Sequence, residues 1–419
     1  MNSLIEFAFG SDLCIEMESG IQLTASAYLH DSNVLRYRFS DSHPFNQQRL
    51  LLTNELLFCA GALTKEEIIQ PKASVEPALL SVHTKEYVSI VKALSASPPL
   101  PEAVQQAQRF GLGDGDTPYF PGMHEATLSI VAGSLSAAEL VMSGTKKRAL
   151  NLSGGLHHAF NYKAAGFCVY NDASIAIRHI RDKYNVKVLY IDTDVHHGDG
   201  VQATYYTDPS VCTFSIHETG KYLFPGTGFA GERGESEGFG YCFNLPVEPF
   251  TEDESWIDNF RDAIERTTAF FQPDIIVSQH GCDAHYFDPL SHQHCSMAIY
   301  MEMPLIIKRL ADTYCQGRWI ALGGGGYDIW RVVPRAWSLL WLVMSEHPLI
   351  ERLQQENVPL PMDWVNAHKA NSPTPLPTHW LDNRNDWDSV PRRQEIDEKN
   401  KQNKELALLY LPDSPFSQE

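Results

Sequence analysis

The segment that most constrains the fold is a strand that runs directly into acidic residues, histidines and glycines. Residues Lys187 to Ile191 have the composition of a buried strand, and Asp-Thr-Asp-Val-His-His-Gly-Asp-Gly follows. Because side chains alternate along a strand, Asp192, Asp194 and His196 are predicted to project to one side. Two carboxylates and an imidazole in a protein interior need a compensating charge, so the sequence predicts a divalent metal here.

Similar strands alternate with helices along the middle of the chain. The predicted strands cover residues 148–152, 186–193, 211–217, 274–278 and 318–322, with helices between them. This alternation predicts an α/β fold in which one parallel sheet is covered by helices on both faces. The chemistry of such a fold lies at the carboxyl ends of the strands.

The two ends of the chain depart from this pattern. Residues 1–25 are a poorly patterned extension, and an edge strand is predicted near residues 25–30. A single catalytic domain is predicted over residues 26–370. The Pro-rich stretch 371–378 and the charged run 392–402, which lacks an apolar face, predict that residues 371–419 form a polar tail, surface-draped or partly disordered.

Composition restricts the classes of function. The chain of 419 residues carries a net charge of −19, which argues against a nucleic-acid surface. The sequence predicts no segment of the apolar length needed to span a bilayer and no charged start of a secretory signal, so no membrane association is expected. The eight cysteines include no CxxC pair, which suits reduced thiols in the cytoplasm.

Two strand ends together supply a hydrolytic metal site. Asp194, His196 and Asp283 provide three ligands and leave a position for water. Zn²⁺ is the default ion, and this ligand set also accommodates Fe²⁺ or another divalent first-row ion.

Amide hydrolysis also needs groups that move protons and stabilise charge. His157 and His158 follow a glycine turn at a strand end and offer a proton acceptor and donor, although a His-His pair taken alone is more often structural. Asp192 and Asp199 are predicted to orient them. Tyr327 follows four glycines, so its hydroxyl can approach the site and donate to the developing oxyanion.

Five strings in this order resemble the zinc-dependent histone deacetylase superfamily, and within it the bacterial acetoin utilisation branch. The strings are Leu152 to Ala159, Ala165 to Asp172, Ile191 to Gly200, Phe224 to Gly228 and Gly323 to Tyr327. The resemblance covers about residues 27–365. It implies an arginase-like fold, hydrolysis of the acetyl amide of acetyl-lysine in proteins by metal-activated water, and release of acetate. For the residues above it implies the same roles, with His158 as the base and His157 mainly electrostatic.

The resemblance implies further roles that composition cannot predict. Phe167 and Phe224 would wall a narrow tunnel for the lysine side chain, and Arg49 would lie by an internal acetate channel. A structural K⁺ is implied beside Asp192 and the backbone carbonyls of Asp194 and His196, with Ser215 as a further candidate ligand. The substrate contacts implied in all are Asp116, Gly166, Phe167, Phe224 and Leu290. The rim at residues 217–223 diverges from the family.

Three alternatives remain open. An acetylpolyamine amidohydrolase of the same superfamily would want an acidic residue at the tunnel mouth, where this chain has Leu290. An arginase-type ureohydrolase would need a second metal and more aspartates, and a non-catalytic acetyl-lysine binding protein would not need the complete set of site residues. Acetylated proteins are therefore the expected substrates, and the resemblance implies acyl-CoA synthetases among them.

Overall fold

The centre of the molecule is one parallel sheet. The computed structural model describes residues 25–411 apart from 74, 114, 386 and 410, so nearly all of the predicted N-terminal extension lies outside the described residues. Within the described part, eight strands pair in the order β2-β1-β3-β8-β7-β4-β5-β6, all parallel. The strands are β1 Ser26–Leu29, β2 Ile68–Ile69, β3 Arg148–Asn151, β4 Val188–Asp192, β5 Val211–Glu218, β6 Cys242–Val247, β7 Ile275–Gln279 and β8 Trp319–Leu322. The predicted fold class is confirmed.

Helices cover both faces of this sheet. The described helices are α1 Gln48–Cys59, α2 Glu76–Leu79, α3 Lys85–Ser95, α4 Pro101–Val104, α5 Met123–Met142, α6 Asp172–Tyr184, α7 Asp199–Tyr205, α8 Asp253–Phe271, α9 Met297–Tyr314, α10 Val333–Met344, α11 Leu349–Leu353, α12 Met362–His368 and α13 Arg393–Ala407. Alternation along β4 sends Val188 and Tyr190 into the apolar layer under α5, α6 and α7, and Leu189 and Ile191 into the layer under α1, α8, α9 and α10.

One helix contradicts the expectation that no segment has the apolar length needed to span a bilayer. Among the described residues, Met123–Met142 is long and apolar enough to cross a membrane by composition, but 56% of its most apolar window is buried inside the fold. It packs against β3 and α6. Its apolarity is therefore that of a core helix.

Both edges of the sheet differ from the prediction. The strand predicted at the edge, β1, is covered by the two-residue strand β2, in which Ile68 pairs with Tyr28. The opposite edge is β6, which the sequence analysis does not predict because Asn244 and Pro246 interrupt its apolar pattern. Proline is tolerated on an edge strand, where one side of the backbone has no ladder partner.

The C-terminal region packs on the rest of the protein. Residues 392–402 lack an apolar face, yet α13 forms there and packs on β6 and α8. Its Asn400 is buried: the side-chain oxygen accepts from Glu248 N at 2.8 Å, and the amide nitrogen donates to Thr251 Oγ1 at 2.8 Å. Polar contacts hold this helix, so an apolar pattern could not predict it. The domain boundary at residue 370 stays a prediction.

Candidate active site and metal centre

The candidate site lies at the carboxyl ends of the four central strands, which are neighbours in the order β3-β8-β7-β4. Each of these strands is followed by predicted site residues: His157 and His158 after β3, Tyr327 after β8, Asp283 after β7, and Asp194 and His196 after β4. The chain passes from β3 to β4 before β7 and β8 insert between them. The site therefore lies where a parallel α/β sheet usually holds its ligand.

Asp194, His196 and Asp283 form a buried cluster that can hold a metal ion. One ligand atom from each lies within 4.8 Å of the others. His196 Nδ1 is 3.2 Å from Asp194 Oδ1 and 3.1 Å from Asp283 Oδ2. Burial and the neighbouring charge of Asp194 raise the pKa of Asp283 to about 6. A cation would relieve this repulsion, and two carboxylates with one imidazole suit a divalent ion.

The other oxygens of these carboxylates are held by groups that the sequence analysis did not identify. Asp194 Oδ2 accepts from Gln279 Nε2 and from Gly325 N, both at 2.8 Å, and Asp283 Oδ1 accepts from Val195 N at 3.0 Å. A Cβ at Gly325 would lie 2.0 Å from Asp283 Oδ2, so glycine is required there. Gln279 could have been recognised in the sequence as the polar residue at the end of an apolar strand.

The two predicted catalytic histidines each bind one carboxylate. His157 Nδ1 lies 2.8 Å from Asp192 Oδ2, and His158 Nδ1 lies 2.7 Å from Asp199 Oδ1. Although burial opposes it, the charges of Asp192 and Asp194 raise the pKa of His157 to about 9. Burial and then the charge of His157 lower the pKa of His158. The two imidazoles therefore differ in charge near neutral pH.

A cavity of about 290 Å³ leads from the surface to these groups. Its lining includes all five residues that the resemblance implies as substrate contacts, namely Asp116, Gly166, Phe167, Phe224 and Leu290, together with His158, His196 and Tyr327. Leu223 also lines it and was not predicted.

The rim on the Asp116 side is fixed by hydrogen bonds. Asp116 Oδ2 accepts from Gly166 N at 3.0 Å, and His43 Nε2 donates to Asp116 O at 3.1 Å while its ring packs on Phe167 at 4.6 Å. Gly166 has φ +53°, and a Cβ there would lie 2.3 Å from His158 Cδ2, so only glycine lets this loop approach the histidine. His43 was not predicted as a site residue. The feature of the sequence that could have indicated it is the Ser-His-Pro-Phe run.

Tyr327 is held beside the metal cluster by a buried carboxylate. Tyr327 N donates to Asp288 Oδ2 at 2.7 Å, and Leu290 N donates to Asp288 Oδ1 at 3.0 Å. Burial and the charges of Asp283 and Asp194 raise the pKa of Tyr327 well above its ordinary value, so the phenol keeps its proton. Asp288, which lies two residues before Leu290, was not predicted from the sequence.

Comparison with known proteins gives the family. A histone deacetylase domain profile matches residues 43–344. The chain belongs to the histone deacetylase family. The acetoin utilization protein AcuC of Bacillus subtilis (strain 168) is 48% identical over 92% of this chain and 97% of its own length. The AcuC of Staphylococcus aureus (strain MRSA252) is 45% identical over 92% of this chain and 96% of its own length.

Solved structures agree with this assignment. The crystal structure of an HDAC homolog from Aquifex aeolicus matches with a TM-score of 0.75 and 25% identity, covering 91% of this chain and 99% of the homolog. An HDAC homolog complexed with SAHA matches equally well. The chain is thus a deacetylase of the acetoin utilisation branch with the arginase/deacetylase-like fold, as predicted.

Two remaining predicted positions lie around the site of this deacetylase. Arg49 is 1% exposed; its Nη1 donates to Gly326 O at 3.1 Å and its guanidinium lies 4.2 Å from the centre of the Phe45 ring. It therefore lies behind the glycine loop, outside the lining of the cavity. Ser215 pairs in register with Asp192 on the adjacent strand, and its hydroxyl is 2.7 Å from His217 Nδ1.

Proposed function

We propose that this deacetylase hydrolyses the acetyl amide of acetyl-lysine in proteins and releases acetate, with a divalent metal, zinc by default, as its cofactor. The observation that carries the proposal is the cavity itself. Its walls include Phe167, Phe224 and Leu290, and its inner end has His158, His196 and Tyr327. A neutral alkyl stem with a terminal amide fits this sequence of surfaces.

The mouth of the cavity favours a lysine side chain on a peptide over a free polyamine. A polyamine retains cationic amines along its stem, and these need an acidic partner, whereas Leu290 offers an apolar surface. Burying each methylene of a lysine stem contributes about 0.8 kcal/mol. At the rim, Asp116 lines the cavity and can accept a hydrogen bond from the backbone N–H of a bound peptide.

The proposed chemistry assigns one task to each group at the inner end. Asp194, His196 and Asp283 would hold a divalent cation, which would supply Lewis acidity toward the amide carbonyl and the water. His158 uses Nδ1 for Asp199, which leaves Nε2 to accept the water proton and pass it to the leaving lysine nitrogen. His157, with its raised pKa, contributes positive charge. The Tyr327 hydroxyl donates to the oxyanion.

The finer predictions from the sequence belong to the same proposal. Structural K⁺ would bind at Asp192, at the backbone carbonyls of Asp194 and His196, and at Ser215. Asp192 and Ser215 are paired on the adjacent strands β4 and β5. Fe²⁺ remains an alternative to zinc. Acetylated acyl-CoA synthetases are candidate substrates, and the cytoplasm is the proposed location.

The test compares acetate release from an acetyl-lysine peptide with that from N-acetylated polyamines, using one metal-loaded enzyme. We expect kcat/KM to be at least about tenfold higher for the peptide, because a buried unpaired amine costs more than one tenfold step in affinity. Leu290→Glu should shift the preference toward polyamines, and Leu290→Gln, of similar size but neutral, should not. A wild-type preference for acetylpolyamines would overturn the substrate class, and tight acetyl-lysine binding without acetate release would overturn the enzymatic assignment.

A further inference from the structure

A second, larger groove opens next to the mouth of the catalytic cavity. It has a volume of about 580 Å³. Lys221 and Tyr222 line this groove, and the next two residues, Leu223 and Phe224, line the catalytic cavity. The same rim loop therefore separates the two spaces. On the far side, Phe250 lines the groove, and its backbone N–H donates to His292 O at 2.8 Å, within the loop that carries Leu290.

The outer wall of the groove is one face of α13. Ile396 and Lys399 lie one helical turn apart on α13, Arg392 directly precedes the helix, and all three line the groove. Further along the same face of α13, two asparagines hold the helix in place: Asn400 makes the buried hydrogen bonds described above, and Asn403 Nδ2 donates to Pro246 O at 2.9 Å. The wall is thus fixed before any ligand binds.

The lining of the groove combines aromatic surface with positive charge. Tyr222 is 62% exposed and Phe250 is 46% exposed. Three cationic and two acidic side chains line the groove, a local balance of +1 (3 − 2) on a chain whose net charge is −19. The acidic Glu395 is already paired with Arg392. Among the described residues, neither Lys221 nor Lys399 has an ion pair.

We propose that this groove binds the stretch of a protein substrate that flanks the acetyl-lysine, and that it selects stretches carrying acidic and apolar residues. The acidic side chain would face Lys221 and Lys399, and the apolar one would pack on Tyr222 and Phe250. The proposal rests on the proposed protein-lysine deacetylase function and specifies its substrates.

The groove is within reach of a peptide that extends from the tunnel mouth. Tyr222 in the groove and Leu223 in the cavity are consecutive residues, and consecutive Cα atoms are about 3.8 Å apart, so residues a few positions from the acetyl-lysine would reach the groove. A free acetylated polyamine or a single acetyl-lysine amide has no such stretch. The groove would therefore act on KM for peptides and leave the chemistry at the metal cluster unchanged.

The test measures kcat/KM on three substrates: an acetyl-lysine peptide with Asp, Glu and Phe at the flanking positions, the same peptide with Lys in place of the acids, and a minimal acetyl-lysine amide. The variants are Lys399→Glu and Tyr222→Ala. Lys401→Glu is the matched control, because it makes the same charge change on the same helix but outside the groove. Each reaction is run at low and at high ionic strength.

We expect the wild type to favour the acidic peptide over the Lys peptide, and Lys399→Glu to lower kcat/KM for the acidic peptide about fivefold, mainly through KM. High salt should shrink this difference. Tyr222→Ala should weaken both peptides, while all variants keep wild-type activity on the minimal amide. Equal effects of Lys399→Glu and Lys401→Glu, or equal kcat/KM of the wild type for both peptides, would overturn the proposed role of the groove. Neither result would affect the proposed deacetylase function. Cleavage of acetylpolyamines in preference to every acetyl-lysine substrate would overturn the proposed function, and this inference with it.

Discussion

At the scale of single residues, Tyr327 differs from the metal cluster in what its loss should do. Its hydroxyl is proposed to donate one hydrogen bond to the oxyanion, whereas its backbone, which is held by Asp288, is independent of the side chain. Tyr327→Phe should lower kcat roughly a hundredfold or more and leave the metal content intact. Single-turnover kinetics with metal analysis on the same preparation checks this, and an unchanged kcat would remove the hydroxyl from the reaction.

The two histidines should divide their work because their surroundings differ. His158 has a lowered pKa and is neutral near pH 7, while His157, with a pKa of about 9 in this charge environment, is cationic. Only a neutral imidazole can accept the proton from water. His158→Ala should therefore abolish nearly all activity, and His157→Ala should leave a measurable rate. Activity of both variants at equal metal loading decides it; a dead His157→Ala beside an active His158→Ala would reverse these roles.

Residue-level prediction from sequence works where one strand end presents its own ligands. Asp194 and His196 lie within four residues of the end of β4, so their spacing alone predicts a cluster. Gln279 and Asp288 act on residues that are distant along the chain, and only the sheet order places Gln279 beside Asp194. Contacts between residues so far apart along the chain leave no recognisable spacing in a single sequence.

At the scale of elements, Asp288 links two loops that line the catalytic cavity. Its two oxygens accept from Tyr327 N and Leu290 N, so one carboxylate sets the positions of the loops after β7 and β8. An asparagine can accept only one of these hydrogen bonds. Asp288→Asn should lower kcat about tenfold, since leaving a buried backbone N–H without its acceptor costs about 1–3 kcal/mol and lets the tyrosine move.

A matched control separates this effect from general destabilisation. Asp312→Asn makes the same substitution at an exposed aspartate, which accepts from Arg148 at the amino end of β3, on the side of the sheet away from the site. It should change kcat by less than about twofold at equal folded fraction. If both variants lose the same activity, Asp288 is structural and does not position Tyr327.

Elements with a regular apolar period were predictable, and the others were not. The helix predicted between the strands at 274–278 and 318–322 is confirmed as α9, because its apolar residues recur at helical spacing. The strand β6 and the helix α13 were missed together, and they pack on each other. Polar residues at their contact, Asn400 and Asn403, replace the apolar stripe on which such predictions depend.

At the scale of the whole molecule, the C-terminal region completes the protein around the site. Trp380 is 1% exposed, and Asp382 lies beside it with a hydrogen bond from Met297 N at 2.7 Å. Asp382 also pairs with Arg335 Nη2 at 2.8 Å and with His285 Nε2 at 2.9 Å. His285 belongs to the loop between β7 and α9 that carries Leu290. Residues beyond the predicted boundary at 370 therefore support the substrate side of the site.

A chain that ends at residue 370 should lose most of its stability. Arg335 is 1% exposed, and removing its carboxylate leaves a buried charge at a cost of about 3–5 kcal/mol. A typical domain has only about 5–15 kcal/mol to lose. Soluble expression and thermal unfolding of this truncated chain against the full chain measure the effect. A truncated chain with unchanged unfolding would support the boundary at 370.

Asp382→Asn isolates the ion pair within the full chain. Burial alone would raise the pKa of Asp382, but the hydrogen bond from His285 and the charge of Arg335 hold it well below its ordinary value. A depressed carboxyl pKa stabilises the fold at pH values above the ordinary aspartate pKa of about 4, and this contribution is lost as the pH falls below that value.

Asp382→Asn should lower the free energy of unfolding by about 3 kcal/mol at pH 7, with a smaller difference at pH ~3. The exposed control Asp388→Asn should change it by less than about 0.5 kcal/mol at either pH. Denaturant unfolding at both pH values checks the sign, because a difference that grows on acidification would mean that Asp382 does not act as the charged partner of Arg335.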